Sequence, residues 1–190
     1  PDLSLVYLPH LDYDLQRLGP NDSKISKALM EIDQIAGDLI SFYEKKGIRV
    51  IILSEYGITE VKNVIYPNRV FREKGWLSIK DELGLDYLDC GGSRAFAITD
   101  HQVAHIYLQD ESPRFRKDVR SCLENMEGVE KVLEGDTRKE GGLHHHRAGD
   151  FVVFSAEDSW FAYYHWLDDS LAPDFARCID VHTKYGYDPA

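Results

Sequence analysis

Two short apolar segments, residues 3–8 and 48–54, flank a long amphipathic segment in the N-terminal part of the chain. Short continuous apolar runs are typical of strands that are covered on both faces in a parallel sheet. Between them, apolar residues recur at helical spacing from Ile25 to Tyr43, and Gly47 follows as a residue that ends helices. The order of strand, helix and strand predicts a crossover unit of a parallel α/β sheet.

The pattern changes after Gly57, where short alternating segments and short helical segments follow one another. This change predicts a small α+β lobe of approximately residues 63–155 within the larger fold. A polar, glycine-rich stretch at residues 136–142 predicts a loop. The predicted helices of the lobe are residues 68–74 and 113–125, and its predicted strands are residues 94–98, 104–108, 129–133 and 151–155.

Composition narrows the range of partners. The chain has 190 residues, of which 43% are hydrophobic and 29% are charged, so it can bury one sizeable core. Its formal net charge of -11 argues against a nucleic-acid polymer as partner, because phosphate backbones are bound by clustered Lys and Arg. Small phosphorylated substrates remain compatible with this charge if bound cations supply positive charge locally. No apolar run reaches the length of a membrane span, so no membrane partner is expected.

The three cysteines, Cys90, Cys122 and Cys178, are widely spaced and form no Cys-x-x-Cys pair. An odd and dispersed set fits free thiols in a reducing compartment better than a disulfide framework or a zinc knuckle. The sequence therefore predicts a cytoplasmic location.

Acidic side chains follow both apolar segments of the predicted crossover unit: Asp12 comes after the first and Glu55 directly after the second. Ligand sites in open α/β sheets lie beyond the carboxyl ends of strands, so we expect Asp12, Glu55 and His182 to converge at one sheet edge. Gln16 can add an amide oxygen to a metal site there, and Asp180 can orient the imidazole of His182. The alternatives are that Glu55 only caps nearby amides and that His182 is a hydrogen-bonded surface residue.

The segment from Tyr7 to Pro20 resembles a motif of the type I phosphodiesterase/nucleotide pyrophosphatase family, which belongs to the alkaline phosphatase superfamily. The family pattern is Tyr-x-x-x-Pro-Asp-x-x-Gly-His-x-x-Gly-Pro. Tyr7, Asp12, Gly19 and Pro20 match this pattern, whereas Gln16 stands at the position of the His. The resemblance implies that Asp12 binds a metal and that one strong metal ligand has become a neutral amide.

Two further segments resemble the metal motifs of this family. The stretch Ser-Glu-Tyr-Gly-Ile places Glu55 and Tyr56 where the family has the Asp and His that bind its second metal. Tyr56 is a poor ligand unless it is deprotonated, so the second site is expected to be weaker or differently built. His182, followed four residues later by Gly-Tyr-Asp, resembles the C-terminal His-Gly-Tyr-Asp of the family. Either His182 is the ligand and the segment carries an insertion, or Tyr185 stands at the aligned position and the ligand is lost; neutral imidazole, the commoner metal donor, favours His182.

In family order, these segments span nearly the whole of residues 1–190 and resemble the C-terminal portion of the family's fold. The resemblance implies an alkaline-phosphatase-like α/β fold, in which flanking helices cover a parallel sheet and a small α+β lobe is inserted. It also implies a metal-dependent phosphodiesterase or nucleotide pyrophosphatase that acts on small phosphate esters, with Zn, Mn or Mg as the divalent metal.

The same resemblance implies that a Ser or Thr nucleophile comes from an N-terminal part of the protein, which is then an expected partner of this chain. The chain alone is expected to be inactive. A second hypothesis is a non-catalytic domain that binds a phosphorylated ligand or a protein, because Gln16, Glu55 and Tyr56 remove imidazole donors from both metal sites.

His101 and His145 are secondary candidates for the site. His101 and His105 lie four residues apart on a predicted strand, about 13 Å from each other, so they cannot easily bind one ion. In the triplet of residues 144–146, either His145 alone or its two neighbours face inward, because adjacent strand residues point to opposite sides. For both candidates the simpler interpretation is a solvated loop histidine.

Overall fold

The computed structural model describes residues 3–177 of the chain. Its helices are α1 (His10–Leu18), α2 (Ile25–Glu44), α3 (Pro67–Glu73), α4 (Pro113–Glu124) and α5 (Thr137–Glu140). Its strands are β1 (Asn63–Ile65), β2 (Ser78–Glu82), β3 (Leu85–Asp89), β4 (Ala95–Asp100), β5 (Val103–Leu108), β6 (Val129–Glu134), β7 (Phe151–Ser155) and β8 (Ser159–Phe161). Two 3-10 turns, Asp169–Leu171 and Asp174–Arg177, follow the last strand.

The chain divides into two compact units, and the division falls between residues 60 and 61. The described part of the first unit is residues 3–60, and the second unit is Val61–Arg177. The proposed lobe at 63–155 lies inside the second unit, and its bounds remain a prediction. Among the helices of residues 3–177, none combines the length and hydropathy that a bilayer crossing requires.

The first unit is helical. The predicted amphipathic helix is confirmed as α2, which buries Ile25 and Ala28. As predicted, Gly47 follows the end of α2. It has a φ of 71° and donates its N–H to the carbonyl oxygen of Glu44 over 2.9 Å. A left-handed conformation at this position is accessible to glycine at little cost.

The two predicted strands of the first unit do not form. Residues 3–8 and 48–54 have no regular secondary structure, and their apolar side chains are exposed except for the half-buried Val50, with Leu5 at 88% and Ile51 at 78%. A strand is stabilised by hydrogen bonds to a neighbouring strand, and the described residues of the first unit contain none. The prediction that Asp12 follows a strand is therefore wrong in its local detail: Asp12 lies in the first turn of α1, where a carboxylate is favoured by the helix dipole.

The second unit is built on a four-stranded antiparallel sheet with the order β4-β5-β7-β6. Strand β5 alternates between half-buried and buried positions, as expected for a strand with one face on the core. Helix α4 begins at Pro113 and packs Phe115, Val119 and Leu123 against that face, at a spacing of four residues. The predicted helices and strands of this unit are thus confirmed within a few residues, except that the predicted loop at 136–142 contains the single turn of α5.

A parallel pair of short strands, β1 and β8, and the β2–β3 hairpin complete the second unit. Buried Asn68 at the start of α3 connects two of its elements. Its Nδ2 atom donates to the carbonyl oxygens of Ala97 (2.9 Å) and Tyr163 (3.2 Å), while its Oδ1 atom accepts from the Ala97 N–H (2.7 Å). The mixed α/β class is therefore realised as helices beside parallel and antiparallel strands.

Candidate functional site

Asp12 and Tyr56 meet in the first unit, although 44 residues separate them in the sequence. The hydroxyl group of Tyr56 donates a hydrogen bond to Oδ1 of Asp12 over 3.0 Å. The other carboxylate oxygen of Asp12, Oδ2, accepts a hydrogen bond from Nε2 of Gln16, also over 3.0 Å. Three of the residues that stand at metal-motif positions in the resemblance thus form one hydrogen-bonded group, which we call the Asp12 cluster (Asp12, Gln16 and Tyr56).

Local structure explains how each member of the Asp12 cluster reaches the group. Asp12 and Gln16 are four residues apart on α1 and so lie on the same face of that helix. Tyr56 lies on the irregular segment that follows α2. In this segment the hydroxyl group of Ser54 donates to the carbonyl oxygen of Tyr56 over 2.7 Å. This contact closes a small turn that presents the phenol ring to α1.

The hydrogen bond to Asp12 changes the acidity of Tyr56. Donation to the Asp12 carboxylate, together with partial burial, raises the pKa of Tyr56 to about 12. Negative charge on Asp12 and Glu55 acts in the same direction. The phenol therefore stays protonated at neutral pH, and it acts as a hydrogen-bond donor.

Two other carboxylates of the first unit, those of Asp14 and Glu31, lie close to basic side chains. Arg17 lies 2.7 Å from Asp14 on the same helix, and His10 lies 3.1 Å from Glu31 of α2. Glu55 is exposed. Asp12 and Glu55 are the carboxylates whose charge contributes to the raised pKa of Tyr56.

The donor set of the Asp12 cluster fits a hard cation in part. The carboxylate of Asp12 and the amide oxygen of Gln16 are the kinds of ligand that Mg²⁺ and Mn²⁺ prefer. The protonated phenol of Tyr56 does not fit a ligand position, since it offers a proton toward Asp12. Across residues 3–177, no three His, Cys, Asp or Glu side chains come together in a group that could hold a metal ion.

The remaining candidates are placed as follows. His182 and Asp180 lie outside the described residues. His101 lies in the second unit at the β4–β5 turn, with a φ of 52° and an exposed ring 3.6 Å from Asp100. His145, also in the second unit, stacks on His146 with ring centroids 4.1 Å apart, and its Nδ1 atom accepts the N–H of Arg147.

A buried charged group in the second unit was not predicted from the sequence. Arg72 pairs with Asp86, and it also donates to the carbonyl oxygen of His165 over 3.2 Å. The Nε2 atom of His165 lies 2.9 Å from the carbonyl oxygen of Asp86, and burial lowers the pKa of His165. Two of these bonds end on main-chain oxygens, which carry no sequence signal.

The second unit also contains an open cleft of about 760 Å³ between β1, α3 and α4. Trp76 forms part of its wall, and Nζ of Lys74 lies 5.3 Å from the centre of that ring. Burial raises the pKa of the Cys122 thiol, which also lines the cleft. Its walls come from separate segments, so no local pattern predicts it.

Comparison with protein families gives one assignment. The model of the type I phosphodiesterase / nucleotide pyrophosphatase family matches residues 1–188. The chain belongs to this family, and the resemblance inferred from the motifs is confirmed. Comparison with curated proteins gives no match.

Solved structures agree with this assignment at the level of the fold. A crystal structure of phosphonoacetate hydrolase from Sinorhizobium meliloti 1021 in complex with phosphonoacetate is 19% identical, with a TM-score of 0.53 over 84% of this chain and 40% of that one. A second structure of phosphonoacetate hydrolase from the same organism, in complex with phosphonoformate, is 24% identical, with a TM-score of 0.41 over 58% of this chain and 26% of that one. The first likeness confirms a partial alkaline-phosphatase-like α/β fold, and the chain spans less than half the length of that structure.

Proposed function

We propose that this chain is the C-terminal part of a metal-dependent phosphodiesterase or nucleotide pyrophosphatase-like hydrolase. Membership of the family supports the reaction class. The observation that carries the proposal is the Asp12 cluster, because residues from two distant motif positions come within hydrogen-bond distance of one another.

In this proposal, the metal ligands are Asp12, Gln16, Glu55 and His182, with Tyr56 beside them as a hydrogen-bond donor and Asp180 as a secondary candidate. Its oxygen-rich composition favours Mg or Mn over Zn. A cation bound there would stabilise the negative charge that develops on a transferred phosphoryl group. Asp12 is the anionic anchor, and Gln16 and Tyr56 fix the orientation of its carboxylate.

The nucleophile is proposed to come from an N-terminal part of the same protein. Residues 3–8 and 48–53 support this part of the proposal, because they are exposed apolar runs with the composition of buried strands. Pairing with strands of another segment would cover them. The proposed substrate is a small phosphorylated molecule such as a nucleotide or a phosphodiester. The phosphonoacetate and phosphonoformate in the neighbouring structures are likewise small phosphorus-containing anions.

A second candidate function is a non-catalytic domain that binds a phosphorylated ligand or a protein. It is favoured by the Tyr56 phenol, which stands at a family metal position as a protonated hydrogen-bond donor. Hydroxyl and amide groups can hold a phosphate without performing phosphoryl transfer. The two candidates differ in turnover, which is directly measurable.

The decisive experiment uses the full-length natural protein that contains this sequence. Turnover of bis(4-nitrophenyl) phosphate is measured with Mg²⁺, Mn²⁺ or Zn²⁺ and after chelation with EDTA. We expect metal-dependent hydrolysis that falls about 100-fold or more in Asp12→Ala and in His182→Ala. Asp38→Ala, at an exposed position on α2, is the matched control and should keep wild-type turnover.

The result also separates the candidate functions. A full-length protein that binds nucleotides but never hydrolyses the diester would favour the binding domain. The 190-residue chain alone should show little or no turnover. Metal-dependent turnover by this chain would overturn the proposal that its nucleophile lies elsewhere.

A cytoplasmic location is part of the proposal. It is supported by Cys90 and Cys122, which are free thiols in the structure. Fractionation of cells that express the natural protein tests it, with the thiol content of the purified protein as a second measurement.

A further inference from the structure

Residues 162–177, which follow β8, form a segment that we call the strap. Its regular structure is limited to the two 3-10 turns. The main hydrophobic core of the second unit is formed by residues between Ile65 and Phe161. The strap has a separate small cluster of buried apolar residues: Trp166, Ala172 and Ala176. Segments with few buried apolar contacts open at a lower free energy than the core, so the strap can detach while the sheet stays folded.

Polar side chains of α3 and β3 attach the strap to the rest of the second unit. Helix α3 donates side-chain hydrogen bonds to three main-chain oxygens of the strap: from Asn68 to Tyr163 (3.2 Å), from Arg69 to Trp166 (2.7 Å) and from Arg72 to His165 (3.2 Å). Strand β3 contributes the hydroxyl group of Tyr87, which donates to Oδ1 of Asp174 over 2.7 Å. On release, these groups exchange their bonds for bonds to water, so each bond has a modest net strength.

His165 is buried within this attachment. It is 3% exposed, and its Nε2 atom lies 2.9 Å from the main-chain oxygen of Asp86 on β3. A carbonyl oxygen can only accept a hydrogen bond, so Nε2 carries the proton of the neutral ring. The charged groups that face the ring are Arg72 on α3 and Asp86 on β3, which pair with each other. A second proton would place a buried positive charge beside a guanidinium group whose carboxylate partner it would have to share.

Proton uptake by His165 favours the released strap. Burial, the largest effect, and the charge of Arg72 lower the pKa of His165 below 6.5, although Asp86 acts in the opposite direction. Once the strap is released, water solvates the ring and its pKa returns to about 6.5. The released form then binds the proton more tightly, so the free energy of release decreases as the pH falls below 6.5. At higher pH the ring is neutral in both forms, and this dependence vanishes.

We propose that His165 is an acid-sensitive latch, whose protonation releases the strap while the four-stranded sheet of the second unit stays folded. Between pH 7.5 and pH 5.5 the equilibrium shifts toward release by up to about 10-fold, the limit for one histidine that takes up its proton only in the released form. The latch lies entirely within the second unit. It is therefore independent of the Asp12 cluster and of the proposed hydrolase activity.

Hydrogen–deuterium exchange followed by mass spectrometry tests the latch in the full-length natural protein. Labelling times at pH 7.5 and pH 5.5 are scaled for the pH dependence of intrinsic exchange. We expect protection in peptides from the strap to fall by up to about 10-fold at the lower pH, while protection in β5 and β7 stays unchanged. His165→Gln can still donate to the Asp86 carbonyl but takes up no proton, so it should lose this response.

Asp174→Asn is the matched control, because carboxylates of the strap also take up protons in acid. An Asn at this position still accepts the hydroxyl group of Tyr87 but no longer titrates. We expect this variant to keep the response of the wild type. Ordinary carboxylates titrate near pH 4, so a response between pH 7.5 and pH 5.5 in the wild type points to the histidine even where His165→Gln fails to fold.

The remaining outcomes would overturn the proposal. Strap protection that is equal at both pH values would show that no latch operates. A response that persists in folded His165→Gln, or that is lost in Asp174→Asn, would assign the pH dependence to another group. Loss of protection in β5 and β7 to the same extent as in the strap would show that the second unit opens as a whole.

Discussion

The Nη1 atom of Arg72 lies 2.5 Å from Oδ2 of Asp86, and both side chains are largely buried, at 19% and 9% exposure. This pair joins α3 to β3 in the second unit. The backbone carbonyl groups of Asp86 and His165 receive further hydrogen bonds from the same group of residues. The interior of this unit thus contains an ion pair in which each charge compensates the other.

Removing one charge of this pair should destabilise the second unit. Arg72→Met leaves the Asp86 carboxylate buried without its cation, and we expect a loss of about 3 kcal/mol in the free energy of unfolding. Urea denaturation followed by tryptophan fluorescence measures it, because Trp76, Trp160 and Trp166 all lie in the second unit.

The matched control is the double variant Arg72→Met with Asp86→Asn. Neutralising both partners removes the uncompensated charge, so the double variant should be more stable than Arg72→Met alone. Equal stabilities of the two variants would show that the pair does not act as a unit.

His165 should make the stability of the second unit depend on pH. Burial, with a smaller contribution from the charge of Arg72, lowers the pKa of His165 in the folded protein below its ordinary 6.5. Below that pH the unfolded chain takes up a proton that the folded chain resists, so the unfolded state binds more protons and the free energy of unfolding decreases as the pH falls. Above that range, both states are neutral at this residue and the effect vanishes.

The measurement compares wild type and His165→Gln by urea denaturation at pH 7.5 and pH 5.5. The wild type should lose more stability between these values than the variant, even if the variant is less stable at both. Parallel losses would contradict the assignment of this pH dependence to His165.

The pattern of apolar residues predicts helices from local signals and predicts strands such as β5 and β7, which pair with each other in the second unit. It fails for two segments of the first unit, whose described residues contain no partner strand. Helix α2 was predicted because its spacing and Gly47 are both local signals. Residues 3–8 and 48–54 have equally strong strand composition, yet they form no strand, because pairing depends on a neighbour that the pattern does not encode.

The candidate site, too, was predicted only in part. Asp12 and Tyr56 were both candidates for the metal site, but their direct contact was not predicted, and the strands expected to precede Asp12 and Glu55 do not form. The direction of the hydrogen bond between them has no sequence signature, because it depends on the geometry of the two side chains. Only the structure shows that Tyr56 donates to a carboxylate.

Gly149, in the connection between β6 and β7, is expected to be the least replaceable glycine of the second unit. A methyl group at this position would lie 2.6 Å from both the amide nitrogen and the carbonyl oxygen of Ile106 on β5. These are main-chain atoms of a central strand, so they cannot move aside without disturbing the sheet. We expect Gly149→Ala to cost about 3 kcal/mol of unfolding free energy.

Gly141→Ala is the matched control in the same connection between β6 and β7. Its methyl group would meet Leu133 and Leu143 side chains at 3.6 Å, which is an ordinary contact. The control should therefore change stability by less than about 0.5 kcal/mol. A Gly149→Ala protein as stable as Gly141→Ala would contradict the close approach at Gly149.

Replacing Leu83 should stabilise the second unit. It occupies the tip of the β2–β3 hairpin with a φ of 56°, followed by Gly84 with a φ of 83°, and its side chain is fully exposed. Two-residue hairpin turns of this conformation favour Asn-Gly, since a left-handed backbone is costly for Leu. Leu83→Asn should therefore raise the unfolding free energy by about 1 kcal/mol in urea denaturation, whereas Leu83→Ala, which keeps the unfavourable backbone, should give no such gain.

The acidity of Tyr56 offers a test of the Asp12 cluster that requires neither metal nor turnover. The hydrogen bond to Asp12 is the main reason why the pKa of Tyr56 rises from 10.0 to about 12, with burial second and the charge of Glu55 the smallest contribution. Asp12→Asn removes the anionic acceptor and should return the pKa toward 10.0, whereas Glu55→Gln should lower it only slightly. NMR of tyrosine labelled with ¹³C at the ring ζ carbon, titrated from pH 8 to pH 12.5 and assigned with Tyr56→Phe, measures both shifts, while circular dichroism at the same pH values reports the folded state. A Tyr56 that titrates near 10 in the wild type, or one that Glu55→Gln shifts as far as Asp12→Asn does, would contradict the hydrogen bond between Tyr56 and Asp12.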